Sequence, residues 1–229
     1  MHYLLSASSR PRRLIADAPW IEGVGWWRGV PITVPVPRPL AFSLAPYRPW
    51  SGDEDQYLAA IMGTNPPLWR DALVQALRDC GVDNFETYEV AIANPDNTAV
   101  VEDFHRQLRD SGIDDVDGYL RGIGHERLEG WIDPGPGAVF TGYKAVNVLG
   151  LVAAADLGRS QATVHDGVAL ADVDFDHLAL DDSRTHGLRM FRLAESTNAI
   201  VVHESVRDTL LDRGFGPDLA FHDLEQAAI

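Results

Sequence analysis

Lysine, cysteine and long apolar runs are what this sequence lacks, and each absence excludes something. Lys144 is the only lysine beside eighteen arginines. Arginine forms planar bidentate pairs with carboxylates, so the bias either equips an interface or records genomic base composition. Cys80 is the only cysteine, which excludes an internal disulfide and a cysteine-rich metal site. No run of about 18 apolar residues is present to span a membrane. The apolar stretch before Arg10, Arg12 and Arg13 is too short for a signal peptide, so the expected location is the cytoplasm.

Catalytic signatures are missing as well. There is no Gly-x-Ser-x-Gly elbow and no Gly-x-x-x-x-Gly-Lys phosphate cradle. His125-Glu126 is followed at position 129 by Glu, where a zinc-protease helix needs its second histidine. Asp172, Asp174 and Asp176 begin like a calcium loop, but His177 and Ser183 stand where that loop needs glycine and glutamate. With Val173 and Phe175 between the acids, the stretch reads instead as a strand with a solvated acidic face. Triads are recognised in space, so scattered Asp and His leave open an uncharacterised hydrolase or metal-dependent enzyme. The expectation is a protein that is not an enzyme and carries neither metal nor cofactor.

What is present is an acidic globular chain. Its 229 residues are 45% hydrophobic and 23% charged, enough for a sizeable core. The net charge is −15 and unevenly spread. Residues 1–50 carry six arginines against Asp17 and Glu22, a balance of +4. Residues 51–135 carry 6 basic and 18 acidic groups (−12), and residues 136–229 carry 7 and 14 (−7). Such a field repels nucleic acid and anionic membrane surfaces. It steers a cationic partner inward, or simply keeps the protein soluble.

Along the chain, residues 2–5 read as an edge strand. Trp20, Trp26 and Trp27, with the prolines of 30–39, read as an extended arm that packs on its own chain. Residues 40–44 alternate like a strand, and 46–55 form a turn-rich loop. Residues 66–80 read as a helix capped by Asn65, with Pro66 at its first position, Leu68, Ala72, Ala76 and Cys80 on its stripe and Gly81 as its stop. Residues 86–93 read as a half-buried strand. An acidic helical insertion falls near 100–130, and a Pro-Gly break at 133–137 precedes a core block at 136–221. Its last helix has Ser205 as N-cap with Asp208 three residues on, Val206, Leu210 and Leu211 inward, and Gly214 at its end. Helix, glycine and strand thus occur twice, over 71–92 and 205–221, which reads as a common way to leave a helix in preference to an internal duplication. The fold class expected is one α+β domain over 1–229, a mixed or mostly antiparallel sheet flanked by several helices.

Within the core block, Tyr143-x-x-x-Asn147, Asp156, Arg159-Ser160, Phe191-Arg-Leu193, Val201-Val-x-Glu-Ser205 and Gly214-Phe215 occur in an order that resembles immunity family 11. These are bacterial immunity proteins of polymorphic toxins and type VI secretion effectors. The resemblance spans residues 29–221 and is weakest over 101–131. It implies a cytoplasmic protein that binds one cognate toxin, a basic domain such as a nuclease, and occludes its active site without a cofactor. It transfers no catalytic residue. The acids expected to meet that partner are Asp53, Glu54, Asp55, Asp114, Asp115, Asp117, Asp172, Asp174 and Asp176. Asn147, Arg192, Ser205 and Gly214 read as structural, with Arg192 pairing with Glu195 or Asp156. A secretion-system scaffold or adaptor is the third reading.

Overall fold

Leu68 and Trp69 are adjacent in sequence and both fully buried, yet they enter different cores. Only an extended chain sends consecutive side chains to opposite faces. That fact overturns the helix expected over 66–80. In the computed structural model, which describes residues 1–8, 15–16, 18, 20–44, 59–94, 98–116, 118–119, 139–165 and 173–226, Leu68–Arg70 is strand β5 and helix α1 is Asp71–Asp79. Asn65 therefore caps nothing, and the helix follows Arg70 with no side-chain cap. Leu73, Val74, Ala76 and Leu77 form its buried stripe, while Ala72 is exposed.

The remaining strands are β1 (His2–Ala7), β2 (Ile15–Ala16), β3 (Leu40–Leu44), β4 (Ile61–Met62), β6 (Phe85–Ala93), β7 (Val139–Phe140), β8 (Tyr143–Val148), β9 (Leu151–Val152), β10 (Gln161–Val164), β11 (Val173–His177), β12 (Met190–Leu193), β13 (Ile200–His203) and β14 (Leu219–Asp223). Two further helices are α2 (Thr98–Asp110) and α3 (Glu204–Asp212). Among the described residues these make three sheets, so the fold is α+β with mixed pairing. One sheet runs β14-β1-β13-β12-β9, and a second runs β2-β3-β6-β8-β5-β4 with β7 also on β6. The third is the β10-β11 hairpin.

The two larger sheets contain the same unit. In the first unit, β8 lies between β5 and β6, antiparallel to both, and α1 joins β5 to β6. In the second, β1 lies between β13 and β14, antiparallel to both, and α3 joins β13 to β14. The registers correspond residue for residue. Leu68, Trp69 and Arg70 face Ala145, Lys144 and Tyr143, as Val201, Val202 and His203 face Leu4, Tyr3 and His2. Phe85 faces Val148 and Glu89 faces Lys144, as Leu219 faces Ala7 and Asp223 faces Tyr3. On the outer side, Ile61 and Met62 face Trp69 and Leu68, as Met190 and Phe191 face Val202 and Val201.

Both helices also end alike. Gly81 (φ 79°) donates to the Arg78 carbonyl and Val82 to that of Leu77; Gly214 (φ 85°) donates to Leu211 and Phe215 to Leu210. This is the Schellman arrangement, and its left-handed residue is glycine because a Cβ is strained there. Of the two explanations for the repeated helix-glycine-strand pattern, the shared register supports internal duplication. The leading strands are exchanged: β1 completes the unit built from residues 200–223, and β8 completes the unit built from 68–93. Hence residues 2–5 are not an edge strand but part of a central one, paired on both sides.

The helices α1 and α3 pack together, and the core around them draws on both units, from Leu5, Trp69, Leu73 and Leu77 to Val202, Val206 and Leu210. Each sheet's other face has its own cover. The first unit is covered by the arm over 18–36, where Val24 and Trp26 are buried against Leu68, Val90, Ile92 and Ala145. The arm self-packs, as its prolines and tryptophans predict. The Gly29 carbonyl accepts from Gly150, and a Cβ on Gly29 would lie 2.8 Å from the Leu151 nitrogen, so only glycine fits. The second unit is covered by the chain from Val152 through the β10-β11 hairpin to Leu178. The core block at 136–221 is thus not self-contained, because β5, α1 and β6 of the first unit and β1 of the second come from outside it.

Candidate functional site

The units meet in a cleft of about 670 Å³ between two counterpart hairpin turns, the one after β4 and the one after β12. Trp26, Trp27 and Trp69 provide aromatic wall, Thr64, Asn65 and Asn198 provide polar groups, and Arg192 provides the charge. Among the described residues no Asp or Glu lines this cleft.

Arg192 is 5% exposed and lies in β12, where every residue is buried. Its counterpart in the first unit is Gly63, one residue past the matched Met62 and Phe191, so the buried cation is found in one half only. An Nη of Arg192 donates to the Thr197 carbonyl across the hairpin turn, while its Nε has no hydrogen-bond partner. Burial pulls its pKa down, and no acid offsets that loss of hydration. The expected pairing with Glu195 or Asp156 does not occur. Asp156 is taken by Arg159 at 2.6 Å, which holds its carboxyl below the usual range. Glu195 accepts instead from the Ala155 nitrogen at 3.3 Å, on the other side of the sheet. Trp69, fully buried, also has an indole Nε1 without a partner. A buried N–H with no acceptor costs roughly 1–3 kcal/mol, so two at one cleft need a reason.

Of the acids expected to face a partner, the described ones, Asp114, Asp115, Asp174 and Asp176, do not line this cleft. Asp174 and Asp176 are exposed on β11 while Val173 and Phe175 are buried, which is the solvated acidic face predicted. Asp174 meets His165 at 2.8 Å. Asp114 and Asp115 are exposed just after α2, and Asp115 accepts from the Gly118 nitrogen at 2.9 Å. Asp53, Glu54, Asp55, Asp117 and Asp172 lie outside the described residues, as do residues 120–130 of the insertion and the loop at 46–55. Nothing brings Asp114 and Asp115 together with β11 into one described patch.

Of the residues read as structural, Asn147 and Gly214 serve the fold, Ser205 exchanges its role with His203, and Arg192 lines the cleft without its expected partner. Asn147, fully buried, donates to the Val30 carbonyl at 2.9 Å and to Glu86 at 3.0 Å, which ties the arm to β8. Gly214 ends α3 as expected. Ser205 is not the N-cap; His203 is, its Nδ1 accepting from the Ser205 nitrogen and meeting the Ser205 hydroxyl at 2.9 Å, while the Ser205 carbonyl accepts from the Thr209 hydroxyl inside the helix. An imidazole nitrogen reaches the same orphan donor as a hydroxyl would, which residue preferences for caps do not signal. Asp208 turns to Arg207 rather than back to the helix start, and Leu211 is 44% exposed. The other motif residues also serve the fold. Ser160 bonds the Asp156 and Ala179 backbone, Tyr143 donates to the Ala59 carbonyl, and Phe191 and Leu193 are core.

No protein-family model matches the chain, and no curated protein matches it. Among the described residues no helix is long and apolar enough to cross a membrane, and no group of three His, Cys, Asp or Glu could hold a metal ion. Sequence reasoning named Arg192 but gave it the wrong partner, and it missed Trp69 and Asn65 as site residues because it placed Trp69 in a helix and Asn65 at that helix's cap. The available signal was the full burial that successive large apolar residues demand.

Proposed function

We propose that this is a cytoplasmic immunity-type protein that neutralises one basic, secreted antibacterial toxin domain by covering its active site. The observation that carries this reading is the rigid outward display of Asp174 and Asp176. Their neighbours Val173 and Phe175 are anchored in the core, so the carboxylates need little ordering on binding. The field of −15 adds long-range attraction for a cation-rich partner, which speeds encounter more than it deepens affinity. Asp114 and Asp115 are further exposed acids, apart from β11.

The test is co-expression with the product of the neighbouring gene. The toxin alone arrests growth, and the pair does not. Purified proteins associate at micromolar concentration in modest salt, with affinity falling as salt rises. Asp174→Asn with Asp176→Asn slows association while leaving thermal stability unchanged. Growth arrest that persists in the presence of this chain, or turnover of a small compound by the chain itself, overturns the reading.

A further inference from the structure

We infer that the cleft between the two units binds a small organic acid, an apolar or aromatic body bearing one carboxylate. The inference rests on what the cleft holds and what it excludes. Arg192 is buried, no acid among the described residues lines the cleft beside it, and its Nε has no partner. Trp69 is fully buried with a free indole Nε1. Both line one cavity of about 670 Å³, the size of pockets that take small ligands. Among the described residues, a guanidinium and a single indole N–H supply one positive charge and a few directed donors. That matches a carboxylate, whereas a phosphate dianion calls for more charge. The rest of the wall, Trp26, Trp27, Ile61 and Ile200, fits an apolar or aromatic body.

The duplication strengthens the case. The two hairpin turns that frame the cleft are structural counterparts, but only one brings a cation, Arg192 against Gly63. A ligand would therefore enter with its acid end toward the β12 turn and its body along the β4 turn. Arg192 also donates to the Thr197 carbonyl, so the alternative is a purely structural arginine that braces its own turn. The site is independent of the toxin reading, and failure of either leaves the other intact.

The experiment uses the full chain and a panel of arylcarboxylates from benzoate to indole-3-acetate, each paired with its primary amide. Binding is followed by tryptophan fluorescence and by the indole N–H resonance of Trp69 in labelled protein. At least one acid shifts the Trp69 signal and binds roughly tenfold or more tightly than its amide. Arg192→Met removes the acid-over-amide preference. Should that variant fail to fold, Arg192→Lys keeps the charge without the fork and weakens the acid several-fold. Trp27→Ala, at a partly exposed wall, weakens acid and amide alike. No shift of the Trp69 signal by any acid at millimolar concentration, equal affinity for acid and amide, or an acid preference that survives loss of the Arg192 guanidinium overturns the inference.

Discussion

Leu73 and Leu77 in the first unit occupy the helical positions of Val206 and Leu210 in the second, and Gly81 and Gly214 end both helices with the same pair of hydrogen bonds. Outside this shared frame the units diverge, and the divergence is clearest at two glutamates that fasten their covers. Glu86 takes three donors on one oxygen: the Ile32 nitrogen at 3.1 Å, Asn147 at 3.0 Å and the Tyr88 hydroxyl at 2.9 Å. Glu195 takes one backbone donor, and its second oxygen is buried without a partner. The same residue type is therefore a fastening in one unit and a liability in the other. The two glutamates are not counterparts, since the shared register puts Ala220 in the place of Glu86, so each fastening belongs to its own cover and not to the repeated frame.

The largest effects test the shared frame. Leu77→Ala and Leu210→Ala each open a cavity beside a fully buried position in the common core, and each lowers stability by about 2–5 kcal/mol in urea denaturation. Similar losses mean that the units are energetically as well as geometrically alike. A difference much larger than the cavities explain breaks the comparison.

Next come the fastenings. Glu86→Ala strands three donors and costs about 1–3 kcal/mol. Its companion is a pH test. The Tyr88 hydroxyl is pushed up to about 12, first by burial and then by its bond to Glu86. The folded chain thus keeps this proton where the unfolded chain, titrating near 10, has lost it. The associated stability is complete below pH 10 and is lost as pH rises toward 12, so Tyr88→Phe flattens the fall of Tm across that window.

The glycine pair separates conformation from packing. Gly214→Ala meets no atom within 4 Å and reports the left-handed backbone alone, a loss of about 1 kcal/mol. Gly81→Ala adds a 3.1 Å approach to the Arg189 guanidinium, which donates to the Cys80 carbonyl, and so it costs slightly more.

Smallest, and opposite in sign, is Glu195→Gln. Burial pushes the Glu195 carboxyl above its ordinary range. Stability tied to it is complete below the unfolded glutamate pKa and is lost as pH rises through the folded value. Glutamine keeps the acceptor for Ala155 without the charge, so Tm rises at neutral pH, and the gain vanishes as the pH approaches 4.

Local chemistry was legible in the sequence where one face or one turn decided it. The strand at 85–93, the acidic face of β11, the self-packed arm and both glycine stops follow from alternation, patterning and left-handed backbone. Leu68-Trp69 misled because an apolar run beside a helix has helical spacing whether or not it belongs to the helix; only the two separate cores it joins reveal a strand. The place of β1 was invisible for a related reason. Its partners β13 and β14 lie about two hundred residues away, and no local pattern encodes such pairing. The cleft was hidden twice over, since it needs both the exchanged strands and the knowledge that Arg192 has no acid to neutralise it.

Each half of the chain holds the strand that the other half is missing. A cut between α2 and β7 would leave two pieces, neither with a complete sheet and each offering the insert its mate requires. Neither piece can reach a native state first and wait for the other. The protein must close as one cooperative event, and a copy that meets a second copy before closing has the means to trade strands with it instead.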